Sequence, residues 1–318
     1  MIWHLLKRVG QSIAVIIGVM ILTFILVHLE PGNTARAVLG FKATPARVAI
    51  FDDTYGLNRP LPVQFWLYCV HVLHGDLGIS YVAQQPVSTL IAQRLPRDVV
   101  LLGMSLVLSL IIGLPMGLYQ ALHHGTVRDD VVAGTWFTLY SAPDFMEALL
   151  LIAIFCVHFH IFQPAFPGGI TTVGGIFEDP RALVLPVVVL AINNVASFSQ
   201  YMRSSAIEEL AQDYIRTARA KGMKQRMILT RHLLRNALLP IITILGLSLP
   251  DVVAGAVIAE AIFSFPGMGL LFWQSALQHD YPVLLGATLV IGVATVLGNL
   301  LADIAYGVLD PRIRHAVA

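Results

Sequence analysis

Long apolar runs, separated by short polar breaks, dominate the hydropathy pattern of this chain. A membrane helix needs about 20 mostly apolar residues to cross a hydrocarbon core of about 30 Å. Six runs reach that length: residues 9–29, 99–122, 131–162, 182–202, 238–263 and 283–309. Pro143 lies in the third and Pro250 in the fifth. Such prolines are tolerated where neighbouring groups satisfy the backbone atoms they free. The pattern predicts an all-α integral membrane protein of six transmembrane helices. Residues 30–98 break it, being too polar to span and too long for a turn. Turn signals at Pro31-Gly32 and Asn58-Arg59-Pro60, with short amphipathic runs between them, read as a small insert between the first two helices. No period of 20–50 residues recurs.

Composition agrees with this reading. Hydrophobic residues make up 57% of the 318 positions and charged residues 12%, against about 25% charged in soluble domains. Net charge is +1, so the informative quantity is where the charges sit. With the N-terminus inside, the inner segments hold 13 of the 20 Lys and Arg residues: Lys7 and Arg8, Arg128, eight between Arg203 and Arg235, and Arg312 and Arg314. The short outer loops 163–181 and 264–282 hold only Arg181. The bias of short loops predicts an N-in, C-in topology. It places the 30–98 insert outside the membrane and the 203–238 loop in the cytoplasm. The first apolar run has no small-residue cleavage site close behind it and reads as a retained helix. Cys69 and Cys156 read as two lone thiols.

The 203–238 loop carries the densest charge. Glu208, Glu209 and Asp213 precede Arg216, Arg219, Lys221, Lys224, Arg226, Arg231 and Arg235. Acids before bases complement a helix dipole, and Gly222 can end a helix in a left-handed turn. The expected result is two helices meeting at a corner, with small residues Ala218 and Ala220 on its surface. A charge-only account would make this loop a topology determinant and nothing more.

Acids also fall inside the predicted spans: Asp144, Glu147, Asp251, Glu260 and Asp303, with no Lys or Arg among them. An ionised side chain at a helix centre costs about 2.5–3.5 kcal/mol and usually faces a pathway or a partner. Asp144 and Asp251 each follow a proline about 13 residues into a run, or ~20 Å at 1.5 Å per residue, near the midplane. Together with Glu147 they are candidates to line a water-filled path for a cationic group. The alternative is that proline-freed donors or water satisfy them. His158 and His160 lie two apart and cannot share a helix face, so no metal site is expected there. No phosphate loop, HExxH or GxSxG pattern occurs, and the chain reads as a non-enzyme without a cofactor of its own.

Several blocks resemble one family. Residues 213–240, with ARAKG followed by RNALLP, resemble the cytoplasmic coupling motif of binding-protein-dependent ABC importer permeases of the peptide/nickel branch. ATPARVAI, YGLNRPLPVQF and GDLGIS in the insert are similar to that branch's outer domain. PVSTLIAQRLP, FSFPGMG and NLLADIAYGVLDPRIR match it before the second helix, after the fifth and at the end of the sequence. Two positions depart from the broader motif: Arg216 stands where it begins with an acid, and Arg235 where it has proline, the nearest proline being Pro240.

The resemblance implies a type I permease fold in the bacterial inner membrane, paired with a second homologous permease subunit. It also implies two cytoplasmic ATPase subunits or a fused pair, which bind ATP and Mg, and an extracytoplasmic substrate-binding protein. No nucleic-acid partner is expected. Asp213, Ala218, Ala220, Lys221, Gly222 and Arg235 become the expected ATPase-coupling residues, and a short peptide the expected cargo. In that setting Glu260, just before FSFPGMG, reads as structural. A proton-coupled secondary transporter with Asp144 and Asp251 as relay carboxylates is the first alternative. A membrane enzyme is the second, and the chain offers only scattered residues for it.

Overall fold

The computed structural model describes residues 2–29, 33–167, 174–177 and 179–309. Among these, helices account for the regular structure, and the only strand-like pairing is an isolated antiparallel bridge between Ile79 and Pro86. Helix α1 spans Ile2–Leu29. The insert folds as α2 (Thr34–Leu39), α3 (Pro45–Thr54) and α4 (Leu61–Leu73). Then follow α5 (Val87–Leu122), α6 (Val127–Tyr140), α7 (Asp144–Leu151), α8 (Arg181–Leu210) and α9 (Asp213–Ala220). Next come α10 (Gln225–Met227), α11 (Leu234–Ala237), α12 (Leu239–Leu247) and α13 (Leu249–Ala254). The last are α14 (Val257–Phe263), α15 (Met268–Leu277) and α16 (Tyr281–Leu309). Arg312 and Arg314, part of the 163–181 loop, the Pro31-Gly32 turn signal and the side chain of Asp303 lie outside the described residues.

Five helices are long and apolar enough to cross a membrane, or up to seven if two bent pairs each count as one span. Three expected spans differ from the pattern-based reading. The second begins at Val87, twelve residues before position 99, and so takes in Arg94, Arg97 and Asp98. The third is not one helix: α6 and the run Asp144–His158, whose last turns are π-helical, meet at 98°. The bend falls at Ser141–Pro143, where proline cannot donate to the preceding turn and disfavours helical geometry in the residue before it. The fifth is shifted, running without a sharp bend from Gln225 to Ala254 and ending at Gly255 with φ +78°. Beyond it α14 and α15 form a second bent pair, at 86°.

Helices α5 and α8 form the most extensive helix pair. Gly113 and Gly117 make their approach possible. A Cβ on Gly117 would lie 2.8 Å from Met202 Cβ and 3.0 Å from the Arg203 nitrogen, and closer still to the Ser199 carbonyl oxygen. Small residues four apart let membrane helices pack backbone to backbone. Phe198, Met202 and Ala206 of α8 sit in a buried core that continues into Ile215, Ala218, Ile228 and Leu233. One apolar core therefore joins the membrane helices to the basic loop.

The insert is tied down by Asp280, which is 3% exposed. Its carboxylate accepts hydrogen bonds from the Ser80 hydroxyl and from the Tyr81 and Val82 nitrogens, the last two at 2.9 and 3.4 Å.

Candidate functional site

The basic loop folds as the corner its residues suggest. Helix α9 stops at Ala220, and Gly222 adopts φ +71°. The Gly222 nitrogen donates to the Arg219 carbonyl at 2.9 Å and the Met223 nitrogen to the Ala218 carbonyl at 3.2 Å. These two bonds define a Schellman turn, which satisfies carbonyls a helix end leaves open. The chain then reverses into α10. Ala218 departs from expectation: it is 5% exposed and packs in the core with Ile215 and Ile228. Asp213, Arg216, Ala220, Lys221, Gly222 and Arg235 are all exposed, together with Thr217, Arg219 and Lys224. Tyr214 anchors the corner laterally: its hydroxyl donates to Glu209 on α8 and accepts from Asn236 Nδ2 on α11 at 2.9 Å. Burial, and then the Glu209 carboxylate, raise the Tyr214 phenol above its ordinary range.

The three candidate pathway acids fall on two helices, Asp144 and Glu147 on α7 and Asp251 on α13. Asp144 is the first residue of α7, directly after the bend, and accepts a 2.5 Å hydrogen bond from Asn193 Nδ2 on α8. Glu147 follows one turn later, 5% exposed, and neither of its oxygens has a partner among the described residues. Asp251 is exposed three residues before the helix end at Ala254. Neither Asp144 nor Asp251 therefore lies in the middle of a continuous helix, as counting along the apolar runs suggested. Helix α7 packs on α8 and α14, whereas α13 packs on α16 and α5.

A fourth acidic group joins two residues that pattern reading kept apart. Asp98 and Glu260 are both 0% exposed. Asp98 Oδ2 accepts from the Met268 nitrogen at 2.6 Å. Glu260 accepts from the Leu270 nitrogen at 2.8 Å and from the Ala256 nitrogen at 2.6 Å. Met268 and Leu270 open α15, where helical N–H groups lack partners and the dipole favours negative charge. Gly267 allows the approach, because a Cβ there would collide with both carboxylates. Arg97 reaches the Pro266 carbonyl at 3.4 Å. Two acids thus hold the bent α14–α15 pair against α5, while the buried Asp98 Oδ1 takes no partner among the described residues.

Between α6 and α8 lies a cleft of about 880 Å³. Its α6 wall carries Trp136, Phe137 and Tyr140, and its α8 wall Ser197, Gln200, Tyr201, Ser204 and Glu208. At its rim, Arg203 grips Asp129 in a bidentate pair at 2.8 and 2.6 Å, with His124 Nδ1 3.2 Å from the same carboxylate. Asp129 is 1% exposed and Arg203 27%. Ser197, Gln200 and Tyr201 do not stand out in the sequence because each is uncharged and set in an apolar run, and Glu208 reads there only as part of the charged loop. Their spacing of three and four was the available signal.

Comparison with known proteins supplies the class. Residues 113–315 match the family described as binding-protein-dependent transport system inner membrane component, and residues 1–102 match its N-terminal companion family. The chain belongs to this family and is a multi-pass protein of the bacterial inner membrane. Among its relatives, the oligopeptide transport system permease protein AppB of Bacillus subtilis is 39% identical, across 98% of this chain and 99% of its own length. The dipeptide transport system permease protein DppB of Escherichia coli K12 is 34% identical, across 99% of both chains. The glutathione transport system permease protein GsiC of Salmonella typhi is 34% identical, across 99% of this chain and all of its own.

Proposed function

We propose that this chain is the membrane subunit of an ATP-driven importer of short peptides, oriented N-in and C-in. The observation that carries the reading is end-to-end likeness to permeases named for oligopeptide, dipeptide and glutathione transport. A second homologous permease subunit completes the path, and an extracytoplasmic binding protein delivers the cargo. Two cytoplasmic ATPase subunits, or a fused pair, bind ATP and Mg. This chain contributes transmission and passage, with no catalytic residues.

The corner supports the transmission role. Its outward face is exposed and basic, while Ala218, Ile215 and Ile228 root it in the core that contains Phe198 and Met202 of α8. A push on Ala220, Lys221 and Gly222 is therefore carried into α8 and the Gln225–Ala254 helix without bending a loop, because packed cores transmit strain. ATPase closure would draw the corners together and open the outer mouth, and hydrolysis would reset it inward. Asp144 and Glu147 line one part of the path and Asp251 another, easing the passage of a cationic peptide amino terminus. The unpartnered Glu147 supports this assignment, since a buried carboxylate without partners is costly unless water or cargo reaches it.

The test is Ala220→Trp in the assembled complex. Ala220 is exposed, unlike Ala218, and needs no left-handed backbone, unlike Gly222. The variant is expected to reach the membrane at wild-type levels and to lose at least tenfold in ATP-driven peptide uptake. Uptake at the wild-type rate removes the corner as the coupling element.

A further inference from the structure

The polar residues of α8 are not scattered. Asn193, Ser197, Gln200, Ser204 and Glu208 follow one another at intervals of four, three, four and four. At 100° per residue they fall within an arc of about 80°, and they extend ~22 Å along the helix. The opposite face, with Val195, Phe198 and Met202, is buried in the interior. The stripe begins where Asn193 holds Asp144 and ends near the basic corner. Four of its members, from Ser197 to Glu208, line the cleft against α6.

Several hydroxyls in the membrane helices bond back to their own helix: Thr135 to Val131 O, Thr138 to Gly134 O and Thr295 to Ile291 O, at 2.8–2.9 Å. On the opposite side of α8, Ser199 donates across to Gln120 at 2.7 Å. Among the described residues, Ser197, Gln200 and Ser204 take no side-chain hydrogen bond. Arg203, the nearby cation, is already engaged by Asp129. From Ser197 to Ser204 the wall thus offers uncharged donors and acceptors in series, with Glu208 at its inner end and aromatic rings of α6 opposite. A lipid-facing surface would leave these groups unsatisfied. Ser and Gln also bond across helix seams, so water access to the void of about 880 Å³ is what separates a track from a subunit contact.

We propose that the α8 stripe is a hydrogen-bonding track for the backbone amides of a peptide in transit, leading from Asp144 to the inner end of α8. The inference rests on the reading of the chain as a peptide importer and supplies that reading with a route. The stripe presents a polar side chain every ~5.6 Å. An extended peptide turns one edge of its amides to the same side every two residues, or about 6.8 Å. Flexible Gln and Ser side chains can follow that repeat without matching it, so contacts are made and broken in turn. Backbone recognition makes the track indifferent to cargo sequence, while the rings of α6 accept varied side chains.

The experiment uses single cysteines at Ser197, Gln200 and Ser204 in the full transport complex, reconstituted in liposomes, with Ile17→Cys on the exposed face of α1 as control. Cys69 and Cys156 are replaced by Ser and Ala. If that background loses uptake, the native thiols are retained and give a constant signal in every variant. The probes are a cationic methanethiosulfonate, which reacts with thiols in water, and radiolabelled trialanine. Modification is expected at all three α8 positions and not at position 17, cutting trialanine uptake at least tenfold, with recovery on adding dithiothreitol. Labelling only after the subunits are separated in detergent identifies a subunit seam and overturns the proposal. So does full labelling with unchanged uptake. If the unmodified wild-type complex imports no trialanine, the peptide-importer reading fails first, and the proposal falls with it.

Discussion

Gly117→Ala tests the α5–α8 contact on which the rest of the fold is arranged. A methyl at this position would sit 2.8 Å from Met202 Cβ and 3.0 Å from the Arg203 nitrogen, and closer to the Ser199 carbonyl. Carbon contacts settle at about 3.5–4.0 Å, so the helices must separate by roughly 1 Å along a seam that also carries Gly113 and Phe198. Overpacking of this kind costs about 1–3 kcal/mol. Alanine regains about 1 kcal/mol through its higher helix propensity. Gly103→Ala on the same helix makes the control, because nothing lies within 4 Å of its added methyl. Both variants share the propensity gain, so their difference isolates the packing term. At roughly 2–3 °C per kcal/mol for a chain of this size, thermal unfolding in lipid nanodiscs should place Gly117→Ala roughly 2–9 °C below Gly103→Ala. Equal midpoints would refute the close-packed seam.

Two further outcomes follow from the geometry. Arg203→Leu leaves the Asp129 carboxylate buried without its bidentate partner, a loss of about 3 kcal/mol, at the low end for a buried pair because Arg203 is itself 27% exposed; calorimetry should show the loss, and the double variant with Asp129→Leu should recover most of it. Thiol labelling from either side of the membrane should find cysteines at Lys42 and Gln278 outside, and at Thr126 and Gln225 inside; one reversed position breaks the N-in assignment.

Much of this fold was legible because apolar length is a strong signal: α1 and α16 follow the apolar runs closely. What failed to show were breaks and extensions set by tertiary partners. Val87 to Asp98 read as outer insert because Arg94, Arg97 and Asp98 are charged. They continue α5 because Asp98 meets the Met268 nitrogen and Arg97 the Pro266 carbonyl, neither of which is visible locally. Pro143 was read as a tolerated proline, yet the chain turns 98° there, which moves Asp144 from mid-helix to a helix start. The corner was readable in outline because Gly222 after a short charged helix is a local signal, whereas the burial of Ala218 depends on Ile228 and Leu233 returning from the next helix. The α8 stripe is present in the spacing of its residues, but from Asn193 to Ser204 its side chains are uncharged and hardly disturb a hydropathy profile.

The most direct test of the central claim is trialanine uptake by the complete complex in liposomes, with ATP and the proton gradient varied separately. The account predicts uptake that requires ATP and the binding protein and persists when an uncoupler collapses the gradient. Uptake that continues without ATP and stops with the uncoupler would contradict it and make this chain a proton-driven transporter.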